Sequence, residues 1–187
     1  MAKTVYVFFG MIATGKSTLA HAWSELEGCL YLNSDVVRKE LAGVAKTERF
    51  ANAVGEGIYS SRCTAMTYDE LLRRTEKALA AATEGCVVLD ASYQSVEERN
   101  RLRRELGQRC RLLFLYCCCS EMTIIKRLEL RSRDPQAVSD GRWEIYLKQK
   151  ERFAQPFELA ERQLVRINTE DPLEELLNRL RCVLRGY

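Results

Sequence analysis

The chain has 187 residues, 47% of them hydrophobic and 29% charged, which excludes a disordered chain and fits one domain, residues 1–187, with its own core. Its formal net charge of +3 is too weak to indicate a nucleic-acid partner, although it does not oppose an anionic ligand. No apolar run approaches the roughly 20 residues of a membrane span, and the N-terminal segment lacks the order of a secretory leader, so a cytoplasmic location is expected.

In chain order, the first apolar run, 5–9, leads into Gly10-Met11-Ile12-Ala13-Thr14-Gly15-Lys16-Ser17. This fits G-x-x-x-x-G-K-[ST] in full, between a strand and a helical pattern over 16–27, the context that separates a phosphate-binding loop from a chance match. Glycines let the backbone turn its N–H groups onto phosphate oxygens, and the helix N-terminus adds partial positive charge. Gly10, Ala13, Thr14, Gly15, Lys16, Ser17 and Thr18 are therefore candidate nucleotide contacts, Lys16 for the β- and γ-phosphates and Ser17 for Mg²⁺. Ala13 stands where related loops often carry glycine. His21, on the following helix, reads as an ordinary helix residue.

The second run, 29–32, ends in Asn33-Ser34-Asp35-Val36-Val37-Arg38. Ligands of open α/β sheets bind at the C-terminal ends of strands. Asp35 there is a candidate base for an attacking hydroxyl, and Arg38, one turn on, a candidate acceptor-binding group. The alternative is that Asp35 only caps the helix. Residues 43–61 show no clear period and read as loops or short helices. A helix is predicted over 69–83, with Leu71, Leu72, Thr75, Ala78, Leu79 and Ala82 at helical spacing.

The third run, 86–89, ends in Asp90-Ala91-Ser92. An apolar strand ending in aspartate downstream of such a loop is the pattern of the Mg²⁺-side carboxylate; Ser92 is a weaker candidate for the same cleft. The helix predicted over 96–106 mixes Arg99, Arg101, Arg103 and Arg104 with Glu97, Glu98 and Glu105, which reads as a solvated, salt-bridged face. After the fourth run, 112–117, comes a helix over 122–131. Arg127 and Arg131 share one of its faces, and Arg133 follows in an irregular stretch, 132–141, with Pro135 and Gly141. These arginines form a candidate lid that neutralises the transferring phosphoryl group and excludes water. The fifth run, 164–167, precedes Thr169-Glu170-Asp171-Pro172 and a helix with Leu173, Leu176, Leu177, Leu180 and Leu184 on one stripe.

Strand–helix alternation of this kind predicts an α/β fold with a parallel sheet. The eight cysteines show no paired zinc spacing. No disulfide is expected in a reducing compartment, and Cys29, Cys86, Cys110 and Cys117 read as small apolar strand residues. The run Cys117-Cys118-Cys119 is unexplained at this level.

Together these residues resemble the P-loop kinases of small molecules and nucleic acids over nearly the whole chain. The resemblance is greatest to a group of bacterial AAA-type ATP-binding kinases. These carry the loop, then S-D-x-x-R-K-x-L-A-G, a strand ending in D-A-[ST], a lid, and an alanine- or serine-aspartate stretch before a glutamine-rich helix. Here they are matched by Ser34-Asp35-Val36-Val37-Arg38-Lys39-Glu40-Leu41-Ala42-Gly43, by Asp90-Ala91-Ser92 and by Ser139-Asp140. The kinase half of phage-type polynucleotide 5′-kinase, zeta-type toxins and chloramphenicol phosphotransferase look similar at the same places. The resemblance implies a three-layer fold with a five-stranded parallel sheet and a short arginine-bearing lid at about 131–141. It also implies Mg²⁺ and ATP as cofactors and transfer of the γ-phosphate to a hydroxyl of a small-molecule acceptor. In that scheme Asp35 is the base, Arg38 binds the acceptor, and Arg127 with Arg131 or Arg133 is the lid cation. The acceptor pocket would come from about 43–68, and Asn168 and Thr169 would lie near the base of the nucleotide. The alternatives are a polynucleotide 5′-hydroxyl kinase and a non-catalytic ATP-binding switch.

Overall fold

In a computed structural model the chain is described at residues 3–45, 57–81, 85–132 and 143–185. Five strands, β1 (Thr4–Phe9), β2 (Leu30–Asn33), β3 (Cys86–Asp90), β4 (Arg111–Cys118) and β5 (Leu164–Asn168), form one sheet in the order β2-β3-β1-β4-β5. Every pairing is parallel, as the sequence predicts. The near-continuous apolar runs follow from burial on both faces. Val5, Val7 and Phe9 of β1 enter one core layer and Phe8 the other.

The helices are α1 (Lys16–Glu27), α2 (Ser34–Leu41), α3 (Ser61–Ala81), α4 (Val96–Leu106), α5 (Glu121–Ser132), α6 (Trp143–Arg152) and α7 (Leu173–Arg185). Leu71 and Leu79 of α3 and Leu102 and Leu106 of α4 pack on one face of the sheet. Leu19 and Trp23 of α1, with Leu176, Leu180 and Leu184 of α7, pack on the other. A third, smaller cluster lies under the loop after β1, where Ile12 and Ala13 meet Ile124 and Leu128 of α5 and Tyr146 of α6.

Helix α3 begins about two turns before the predicted start at residue 69. The one buried position in that added stretch is polar: Thr67 is fully buried and donates its hydroxyl to the Cys63 carbonyl at 2.7 Å. Such back-bonding hides a threonine's polarity inside a helix and masks the apolar period. Helix α4 starts where its capping box dictates, with Ser95 Oγ accepting from Glu98 N–H and Glu98 Oε2 accepting from Ser95 N–H.

Two expectations are corrected. Cys29 and Cys86 are joined by a disulfide. The β2–β3 register pairs Leu30 with Val87, which sets Cys29 beside Cys86 at a Cα separation of 4.7 Å, within disulfide range; their distance in sequence conceals this. The arginine-rich helix is also not a solvated face throughout. Arg99 is fully buried, with Nε and Nη2 on the Glu158 carboxylate at 2.5 and 3.2 Å and Nη1 on the carbonyls of Tyr93 and Gln94 at 2.8 and 3.3 Å. Its guanidinium also lies over the Phe9 ring. A charge is tolerated there because a carboxylate and two carbonyls meet it. Arg101 stays outside and pairs with Asp69.

Candidate active site

The topology sends the chain left from β1 to β2 and β3 and later right to β4 and β5. The loop after the central strand therefore sits at a switch point of the sheet, where α/β folds bind ligands. Its glycines are sterically required. A Cβ on Gly10 would lie 2.3 Å from the Cys117 carbonyl oxygen, and one on Gly15 would meet Arg127 Nη1 at 3.0 Å and Thr169 Oγ1 at 3.1 Å. Gly15 is the N-cap of α1 with φ 80° and makes no side-chain cap bond. The first N–H groups of α1 thus face the loop as anion donors. Ala13 also has a positive φ, 60°, an arrangement that costs a residue with a Cβ roughly 1–2 kcal/mol.

Tertiary contacts hold the strained loop. Arg127 Nη1 donates to the Ala13 carbonyl at 3.3 Å and to Thr169 Oγ1 at 3.1 Å, and Nη2 donates to the Thr169 carbonyl at 2.5 Å. Thr169 Oγ1 donates to the Thr14 carbonyl at 2.5 Å. Thr14 Oγ1 closes the turn on the Met11 carbonyl, and Gln149 Oε1 of α6 accepts the Ile12 N–H at 2.7 Å. Arg127 thus braces the loop from its α5 side. Arg131 joins it, with Gly15, Thr18, Leu19 and Thr169, along a cavity of about 360 Å³. Arg133 lies outside the described residues, as do Ser139, Asp140 and most of the expected lid, and so do residues 46–56 of the acceptor-side segment.

Asp90 and Asp35 stand at neighbouring strand ends, because β2 and β3 pair Asn33 with Asp90. Asp90 is fully buried. Its Oδ2 accepts from Tyr31 Oη at 2.6 Å and from Asn33 Nδ2 at 2.5 Å, while its Oδ1 is buried without a partner. Burial, with Asp90 adjacent, pushes the Tyr31 pKa far up, so Tyr31 stays a donor. The cap of α2 is Asn33, whose Oδ1 accepts from the N–H groups of Asp35 and Val36, both at 3.0 Å. Capping therefore does not occupy the Asp35 carboxylate. Burial raises the Asp35 pKa above the usual carboxylate value; Lys16 and then Arg38 oppose the rise, and Asp90 adds to it.

Arg38 is also buried. Its Nη1 donates to the Ile58 carbonyl at 2.9 Å and to Thr64 Oγ1 at 3.2 Å, its guanidinium lies over the Tyr59 ring, and its Nε has no partner. Ser92 Oγ meets Tyr68 Oη at 3.0 Å, and the Ser92 carbonyl accepts the Gly10 N–H at 3.3 Å. Tyr93, next in line, has φ 40° and donates its N–H to Tyr68 Oη. The turn after β3 is thereby tied to both α3 and the phosphate loop.

The three consecutive cysteines meet three environments. Cys117 is buried under α1 and burial pushes its thiol pKa far up; Cys118 reaches the Ile167 carbonyl; Cys119 contacts Arg127. Tyr31, Asn33 and Gln149 were not singled out from sequence. Asn33 carried a legible signal as an N-cap residue before a helical pattern, whereas the partners of Tyr31 and Gln149 are set only by tertiary structure.

A protein-family model, the AAA domain, matches residues 5–156. The chain belongs to the AAA domain family. This AAA domain is 30% identical over 95 residues to the uncharacterized proteins Mb2027c of Mycobacterium bovis and Rv2004c of Mycobacterium tuberculosis, a match covering 51% of the chain and 19% of each relative. The chain thus spans well under half the length of the curated relatives it matches. Among solved structures, it is similar to a sugar kinase from Janibacter with a TM-score of 0.68 and 15% identity, covering 99% of this chain and 95% of that one. A gluconokinase from Sinorhizobium meliloti gives a TM-score of 0.62 at 20% identity, covering 99% and 97%. Kti12 of Chaetomium thermophilum, in complex with ADP-AlF3, gives 0.65 at 14%, covering 96% and 97%. The fold is that of the P-loop kinases.

Proposed function

We propose that this AAA domain is an ATP-dependent kinase that moves the γ-phosphate of Mg·ATP onto a hydroxyl of a small-molecule acceptor. The observation that carries this reading is the pair of carboxylates beside the phosphate loop, held in opposite ways. Asp90 is fixed by two donors on one oxygen, and Asp35 is free of capping and has a raised pKa.

The residues present fit the groups the reaction needs. A Cβ would clash with backbone at Gly10 and crowd the Arg127 and Thr169 side chains at Gly15, where φ is 80°, as expected where backbone N–H groups must converge on phosphates. The unpartnered Asp90 Oδ1 and the Ser17 hydroxyl form an oxygen donor set suited to Mg²⁺. Mg²⁺ would neutralise charge on the terminal phosphates. Lys16 supplies a further cation to the β- and γ-phosphates, and its charge is felt at Asp35. Asp35 takes the proton from the acceptor hydroxyl as that oxygen attacks, and its raised pKa makes it a stronger base than an exposed carboxylate. Arg38 orients the acceptor, Arg127 holds the loop, and Arg131 and Arg133 serve the nucleotide side. The cavity beside Gly15 and Thr18 has a volume suited to the nucleoside. Structural neighbours named as kinases support the same reading.

The test is incubation with γ-labelled ATP and Mg²⁺ against two acceptor pools, a metabolite extract and 5′-hydroxyl oligonucleotides. Label should enter a small metabolite. Label in the oligonucleotide pool alone would replace the small acceptor with a polynucleotide. ATP binding with no transfer to either pool would refute the kinase assignment.

A further inference from the structure

Asn33 bonds the carboxylate of Asp90 and the backbone N–H of Asp35 and belongs to neither motif that names them. We infer that Asn33, with Tyr31 as its second, is a positioning residue that orients Asp90 for the metal and at the same time fixes the helix end that carries Asp35. Its role presupposes the Mg·ATP kinase assignment made above.

An asparagine amide has two donors on nitrogen and an acceptor on oxygen. Asn33 divides them between two jobs. Its Oδ1 takes the N–H groups of Asp35 and Val36 at 3.0 Å each, which anchors the first turn of α2. Its Nδ2 donates to Asp90 Oδ2 at 2.5 Å and contacts Tyr31 Oη at 3.3 Å. The amide orientation is forced. Backbone N–H groups on one side require oxygen there, and the carboxylate on the other requires nitrogen.

The consequence falls on Asp90. Tyr31 and Asn33 both load Oδ2, so the carboxylate cannot turn without breaking two charge-assisted bonds. Its other oxygen is left buried without a protein partner. A buried carboxylate oxygen with no donor is unfavourable unless something positive meets it. The arrangement resembles the outer partners that orient ligands at metal sites, whose removal typically weakens metal affinity or activity about 10–100-fold. Register makes the two jobs compatible, since Asn33 and Asp90 are direct partners in the β2–β3 pair and Asn33 is also the residue at which β2 becomes α2. Serine would cap the helix equally well but is too short to span to Asp90. Glutamine would span but caps poorly.

The experiment is a calorimetric titration of ADP into the full chain over a series of Mg²⁺ concentrations, alongside thermal unfolding, for wild type, Asn33→Ser, Asn33→Ala and Tyr31→Phe. Wild type should bind ADP more tightly as Mg²⁺ rises. In Asn33→Ser the half-saturating Mg²⁺ should rise about tenfold or more, with Mg²⁺-free ADP affinity close to wild type and Tm lowered only by the lost bond to Asp90. Asn33→Ala should show the same Mg²⁺ shift and a lower Tm, because the cap is lost too. Tyr31→Phe leaves the cap intact and should shift the Mg²⁺ dependence in the same direction by a smaller factor. Wild-type Mg²⁺ dependence in both Asn33→Ser and Tyr31→Phe would overturn the role given to Asn33. So would an equal loss of ADP affinity with and without Mg²⁺, which marks general damage to the phosphate loop. If wild type binds ADP with no response to Mg²⁺, the Mg·ATP assignment itself fails, and the role of Asn33 with it.

Discussion

Truncating Glu158 tests the buried contact between Arg99 and its carboxylate. Arg99 is fully buried, and Glu158 supplies the acceptors for its Nε and Nη2. In Glu158→Ala, Nη1 keeps the carbonyls of Tyr93 and Gln94, but the charge loses its counter-ion inside the core. Removing one partner of a buried pair costs about 3–5 kcal/mol. The Glu158 side chain is 16% exposed, so water reaches the vacated site and the lower end, about 3 kcal/mol, applies. For a domain of this size each kcal/mol shifts Tm by about 2–4 °C, giving a fall of about 6–12 °C. Glu158→Gln keeps an acceptor without the charge and should fall between the two. Urea unfolding, with its slope checked for constancy, measures the loss directly. A change below about 1 kcal/mol in Glu158→Ala, the scale of an exposed pair, would refute the claim that Arg99 is a buried cation stabilised by its carboxylate.

Gly10→Ala places a Cβ 2.3 Å from the Cys117 carbonyl at a φ of 141°; thermal stabilisation by Mg·ADP should be lost in this variant and kept in Gly28→Ala, where a Cβ meets nothing. Because the Asp35 pKa is raised, the folded chain binds that proton more tightly than the unfolded chain. Its contribution to stability therefore falls as pH rises from the ordinary carboxylate value through the raised one, and Asp35→Asn should flatten that limb of a stability–pH profile. The same raised pKa places the acid limb of kcat/KM above the usual carboxylate range, to be read in a pH–rate profile once an acceptor is known. Gln149→Ala removes the acceptor of the Ile12 N–H, which should cost about 1 kcal/mol and speed hydrogen exchange at that amide.

The sheet was legible because parallel strands buried on both faces read as short apolar runs, and the phosphate loop because its glycines are dictated by steric approach to Cys117, Arg127 and Thr169. What the sequence hid lies in contacts that only register creates. Cys29 and Cys86 meet because β2 pairs with β3. Arg99 looked like a surface residue because its partner, Glu158, lies 59 positions away. Thr67 broke the apolar period at the start of α3 while bonding its own helix. Within the site, Asp35 and Asp90 could be placed by their strand ends, but the residue that couples them could not. Asn33 looked like an ordinary residue at a helix start, and its second bond, to Asp90, depends on a strand 57 positions on.

Asp35→Asn, assayed for transfer of label from γ-labelled ATP to the acceptor pool that wild type phosphorylates, tests the central claim most directly. Loss of a general base should lower transfer about 10²–10⁴-fold, with Mg·ATP affinity retained. Transfer at the wild-type rate in Asp35→Asn would contradict the assignment of this site as a hydroxyl kinase that uses Asp35 as its base.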